Sequence, residues 1–118
     1  GFELPETHHF SEPSNLQSKV CAKNDVIWNG NVPDVASCIH KCNNQKACRY
    51  ATVGVAKWAD DAFVQHRPCQ LCFSAPAKFS DDTIVLKKGK KEQISAARKQ
   101  AASVAGKLAK ATEKATPM

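Results

Sequence analysis

The sequence predicts a small α+β fold, one helix packed on a mostly antiparallel sheet and stapled by disulfides, with a long basic helix at the C-terminal end. Three observations carry this expectation. Six cysteines fall within only 118 residues. One helical stripe, Val35, Cys38, Ile39 and Cys42 at i, i+3, i+4 and i+7, lies among short segments of strand character. From Ile94 onward the apolar residues recur in unbroken steps of three and four.

Residues 1–19, GFELPETHHFSEPSNLQSK, are polar, hold two prolines and show no period. An irregular N-terminal arm is expected, ordered only where it packs on something. The cysteine module is expected over 20–86. Within it Val26-Ile27-Trp28, Arg49 to Ala56, Ala62 to Gln65, Cys69 to Ser74 and Thr83 to Leu86 read as strands by length and β-branched content, although Ala51 and Ala56 weaken the second. Val32-Pro33-Asp34 opens the helix: Pro33 suits the first turn, and Asp34 suits the positive helix N-terminus. Asn43-Asn44 is the expected stop. WADDAF and SAPAKFSDD are connecting turns, and helix and sheet form a two-layer pair.

KKGKK at 87–91 reads as a solvated basic hinge, and 92–116 as an amphipathic Ala/Lys-rich helix. Its seam is Ile94, Ala97, Ala101, Val104, Leu108, Ala111 and Ala115. A helix from Glu92 to Ala115 would be ~36 Å long, ended by Thr116-Pro117. Gly106 weakens it by about 1 kcal/mol relative to alanine. A seam of such small residues buries little area alone, and the isolated helix would be marginal. A partner surface is therefore expected for the seam, with Arg98, Lys99, Lys107, Lys110 and Lys114 forming a basic face.

Charge follows the same division. Residues 1–86 hold 8 Lys/Arg against 9 Asp/Glu, a balance of −1, whereas 87–118 hold 9 against 2, a balance of +7. The two parts are expected to have different jobs. No run approaches the ~18–20 apolar residues of a membrane span. The chain opens at Gly1 instead of Met, so a processed product showing no targeting segment is expected. An even cysteine count in a short chain favours a disulfide framework in an oxidising compartment. No Asn-x-Ser/Thr sequon marks a glycosylating route, so extracellular space and organelle lumen both stay open.

Three chemistries compete for the cysteines. Structural zinc favours paired C-x2-4-C knuckles. Only Cys69/Cys72 fits well, Cys38/Cys42 would sit on a helix, and six cysteines leave two over. A redox C-x-x-C belongs at a helix N-terminus, whereas Cys69-Gln70-Leu71-Cys72 lies in a strand-like run after Pro68. Three disulfides fit better. Cys38 and Cys42 lie one turn apart on the buried helix face and can both point at the sheet. Cys69 and Cys72, three apart in a strand, point to opposite faces, so one meets the helix and the other meets something behind, with Cys21 unassigned. Six cysteines allow 15 pairings, and spacing alone does not choose.

The order of DVASCIHKC, CRYATV and CQLC resembles the PAN/apple domain over about residues 20–86, roughly half the chain. That family's pattern implies Cys38–Cys69 and Cys42–Cys48, stapling helix to sheet. Apple domains add a bridge between their terminal strands. This chain departs there, since no cysteine follows Cys72, and Cys21–Cys72 is the inferred third bridge, which the opposite-face placement permits. Each bridge would contribute ~2–4 kcal/mol. The resemblance implies protein or carbohydrate recognition, commonly in extracellular adhesion or secreted assemblies.

His8-His9 could bind a metal or cofactor but suit a solvated arm. Asp60-Asp61 and Asp81-Asp82 could be catalytic or calcium carboxylates but suit turns. Trp28 and Trp58 could stack on ligands or serve as half-buried anchors. No phosphate loop, nucleophile elbow or Ser/His/Asp set is present, so no catalytic residue, cofactor or metal site is expected. The lysine helix lacks the large apolar face of a membrane-surface helix, and an oxidised domain rarely meets nucleic acid. A non-enzymatic binding module with a protein or carbohydrate partner is expected. The alternatives are an accessory subunit of a large complex in an oxidising organelle lumen and, behind it, a thiol–disulfide oxidoreductase using Cys69-Cys72.

Overall fold

A computed structural model describes residues 6–58 and 65–115, with the backbone alone at Glu6, Trp58, Gln65 and from 109 onward. The elements run β1 (Glu6–Ser11), β2 (Lys19–Val20), β3 (Val26–Val32), α1 (Val35–Asn43), β4 (Tyr50–Gly54), β5 (Lys57–Trp58), β6 (Gln65–Cys72), β7 (Lys78–Phe79), β8 (Thr83–Gln93) and α2 (Ile94–Ala115). The main sheet is antiparallel, in the order β1-β8-β4-β6-β3, with β5 added alongside β6. Both helices pack on it.

Strand alternation sorts the side chains. In register, Ala51 faces Leu71 and Leu86, and Val53 faces Cys69 and Ile84. These residues join Phe10, Val35, Cys38, Ile39, Cys42, Ala101, Val104 and Leu108 in one core under the helices. The next residues along, Thr52, Gln70 and Val85, lie in register on the opposite face. That back face meets the β2–β7 ribbon and the segment around Gln17. Cys69 and Cys72 fall on opposite faces, as their spacing requires. The bridges are Cys38–Cys69, Cys42–Cys48 and Cys21–Cys72, with Cα separations of 5.7, 5.3 and 5.4 Å. Three disulfides place the chain in an oxidising, non-cytosolic environment.

Two boundaries differ from the sequence expectation. Residues 6–11 are a strand, not an irregular arm, and 87–91 lie within β8 instead of forming a hinge. Each explains the other. His8 pairs with Lys91, Phe10 with Lys88 and Ser11 with Lys87, so each segment supplies the backbone partners the other lacks. Lysines tolerate such a strand because their heads reach water. Further along the same β8 edge, the Gln17 side-chain amide donates to Val85 O (3.1 Å) and accepts from Val85 N (2.9 Å), while Ser18 N donates to Thr83 O. Because Glu92 and Gln93 remain in register with Thr7 and Glu6, α2 begins at Ile94.

Strand β3 runs past Trp28 to Val32. Gly30 permits this, because a Cβ there would stand 2.8 Å from the Trp28 ring, which lies across it. Gly54 likewise leaves room for Pro68, whose Cγ would lie 2.6 Å from an added Cβ. The expected strand over Ala62 to Gln65 and the WADDAF turn fall largely outside the described residues, as do Asp60-Asp61 and Thr116-Pro117.

Candidate functional site

The functional surface is built around α1. Asp34 caps its N-terminus, its carboxylate accepting from Ser37 N at 2.7 Å. The buried stripe is Val35, Cys38, Ile39 and Cys42. At the other end Asn44 N donates to His40 O, and Lys88 Nζ reaches across from β8 to donate to Cys42 O (3.0 Å) and Gln45 O (3.2 Å). A lysine on the last carbonyls is favourable both as a donor and against the helix dipole. Burial, and then repulsion from Arg49, push the Lys88 ammonium below the usual lysine range.

From Ala97 to Leu108 the α2 seam lands on this chain's own core, which corrects for that stretch the expectation that it waits for a partner. Ala97, Ala101, Val104 and Leu108 are buried against β8, β1 and α1. Small side chains let the helix backbone come close, and Val104 and Leu108 supply the apolar area. Gln100 Nε2 donates to Phe10 O, and Lys107 pairs with Glu12 at 3.0 Å. Arg98 and Lys99 are exposed, as the basic face requires. Lys110, Ala111, Lys114 and Ala115 lie on the helical backbone, and their side chains fall outside the described residues.

Among the described seam residues, only Ile94 at the N-terminal end stays partly open. Ile94 is half-buried, and with Ala97 and Arg98 it meets Ala36, Ile39 and His40 of α1 around an apolar notch of about 150 Å3. Its floor is aliphatic. Its rim carries Arg98 and His40. A second, more polar cleft of about 320 Å3 lies at the other end of α1, beside Asn43, Lys46, Arg49 and Lys88. The larger hollow between residues 12–18 and α2, about 590 Å3, is shallow and is flanked by the Lys107–Glu12 pair.

Other singled-out residues have structural work. His8 Nδ1 lies 2.9 Å from Gly89 O, and His9 Nδ1 lies 2.9 Å from Glu92 Oε2, so this pair sits in a strand and not in a solvated arm. Asp81 and Asp82 form a turn, with Asp82 in the left-handed region at φ 53° and Asp81 accepting from Asp82 N. Trp28 is a half-buried anchor with Lys41 Nζ 4.4 Å above its ring. The Trp58 side chain is outside the described residues. Cys69 and Cys72 are fully buried, and each is bridged to a different partner. Among the described residues no cluster of three or more His, Cys, Asp or Glu could hold a metal, and no helix is long and apolar enough to cross a membrane.

Comparisons of the chain with protein-family models, with curated proteins and with solved structures find no match. Three seam or basic-face residues legible in the sequence, Ile94, Ala97 and Arg98, do come together at the notch. The α1 half of the notch and the whole of the α1–β8 cleft were missed, because no local pattern joins residues so far apart. The available signal was Ile94 itself, the one large residue opening a mostly alanine seam.

Proposed function

We propose that this chain is a non-enzymatic binding module of the PAN/apple type, secreted or lumenal, that holds an acidic segment of a protein partner at the α1–α2 notch. The carrying observation is the notch: an aliphatic floor of Ile39, Ile94 and Ala97, sized for one apolar side chain, under a rim of Arg98 and His40. A buried apolar anchor surrounded by complementary charge is the usual energetic centre of a protein interface. The PAN/apple reading is supported by a helix bridged to the sheet through Cys38–Cys69 and a second bridge closing the turn after it. A peptide with one leucine flanked by aspartates tests the proposal by fluorescence anisotropy. Arg98→Glu is expected to weaken binding by about tenfold, added salt to weaken it further, and Ala36→Phe to block it by filling the notch. Binding indifferent to both substitutions overturns the proposal.

A carbohydrate partner is favoured by a different observation. Behind the sheet, a hollow of about 250 Å3 is lined by Asn29, Thr52, Gln70, Ser80 and Thr83, with no charged side chain among the described residues. The Thr52 side chain is 2% exposed and makes no hydrogen bond within the described residues. Uncharged hydroxyls and amides are the groups that recognise sugar hydroxyls. Saturable shifts of the Thr52 and Gln70 amides on addition of a neutral monosaccharide would support this reading. The accessory-subunit reading draws less support, because β1 and the described α2 seam are both spent on the chain's own sheet.

A further inference from the structure

The geometry points to a second site, independent of the notch: the α1–β8 cleft binds a tetrahedral oxyanion, a phosphate or sulfate monoester. The cleft is lined by donors from three parts of the chain. Lys88 spends two ammonium protons on Cys42 O and Gln45 O and keeps the third. Asn43 uses its carbonyl oxygen to accept from His8 N at 3.0 Å, which leaves its amide NH2 to donate. Lys46 and Arg49 are exposed and belong to none of the ion pairs among the described residues. Among the described residues no carboxylate lines the cleft, and Glu92 on the same strand pairs with His9 through Oε2.

Three cations are thus gathered with no carboxylate opposite them among the described residues. Arg49 and Lys88 repel one another, and Lys88 is partly desolvated, so an anion seated between them offsets both effects by direct attraction. The donor count selects the anion. A carboxylate offers two oxygens in one plane. A phosphate or sulfate monoester offers three free oxygens spread in space, which matches an Arg fork, two ammonium groups and an amide arriving from different directions. The Cys42–Cys48 bridge closes the six-residue step that carries Lys46. Asn43 and Lys46 therefore sit on a covalently closed turn, with Arg49 directly after it, which lowers the ordering cost of binding.

Nitrogen-labelled protein is titrated with inorganic phosphate and with sulfate, using acetate as the planar control. The amides of Asn43, Lys46, Arg49 and Gly89 should shift saturably, with a dissociation constant of about 1 mM. Acetate should bind at least about tenfold more weakly. Lys46→Ala/Arg49→Ala, which touches no core residue, should weaken phosphate by about tenfold or more at unchanged melting temperature. Vesicles of phosphatidylcholine with and without a phosphoinositide then identify the source. Sedimentation that needs both the phosphoinositide and Arg49 assigns a lipid headgroup. Phosphate binding without vesicle binding assigns a free or glycan-borne ester. Shifts that spread over all lysines without saturating, or a double variant that binds unchanged, overturn the site. Neither substitution touches Ile94 or Arg98, so peptide binding at the notch stands or falls separately.

Discussion

Helix α1 has nine residues, and two of them are bridged to other parts of the chain; α2 has 22 residues and no covalent tie. Both pack on the same sheet and share one core. A helix of nine residues is too short to persist alone in water. It is held by an Asp34 cap, a buried stripe and two disulfides. Helix α2 is long and rich in strong helix formers, so it needs less help to form but more help to dock. Its seam offers mainly alanine, and Val104 and Leu108 carry most of the apolar burial. Two of the three bridges fall on the helix whose local propensity is weakest, and side-chain packing serves where propensity is strong.

Of the changes at the two helices, the largest effect is expected from opening Cys38–Cys69 under α1. Cys38→Ala/Cys69→Ala releases a loop of 31 residues and Cys42→Ala/Cys48→Ala one of 6. The chain-entropy relation assigns about 4 and about 2 kcal/mol respectively. Denaturant midpoints of the two double variants should fall in that order, and the reverse order would place the restraint mainly in the local turn. Next comes Leu108→Ala, at 3% exposure in the native chain, which should cost about 3 kcal/mol. Helical circular dichroism should then be lost in an early transition, while the bridged module melts later. A single cooperative transition would instead show that α2 is part of the same folding unit as α1. The smallest effect is a gain. Gly106 lies on the exposed side of α2, with nothing within 4 Å of an added Cβ and no positive φ. Gly106→Ala should stabilise the helix by about 0.5–1 kcal/mol, seen as a modest rise in melting temperature. The same substitution at Gly54 should do the opposite, because Pro68 occupies the space.

What the sequence by itself determined is local in origin. The limits of α1, its buried stripe, the phase of the α2 seam, the turn at Asp81-Asp82 and the opposite facing of Cys69 and Cys72 all follow from side-chain period and turn chemistry. These depend on a few neighbouring residues and are legible without a fold. What only the tertiary structure decided is non-local. Residues 6–11 and KKGKK look irregular because neither shows strand alternation in isolation, yet each satisfies the other's backbone groups from opposite ends of the chain. The seam looked unpartnered because the sequence displays its spacing without the surface it meets. Ile94 and Arg98 reach Ile39 and His40, and Arg49 reaches Lys88, only after the sheet brings α1, β8 and α2 together. Backbone hydrogen bonding and charge proximity are set by pairing in space, and no window along the chain contains both partners.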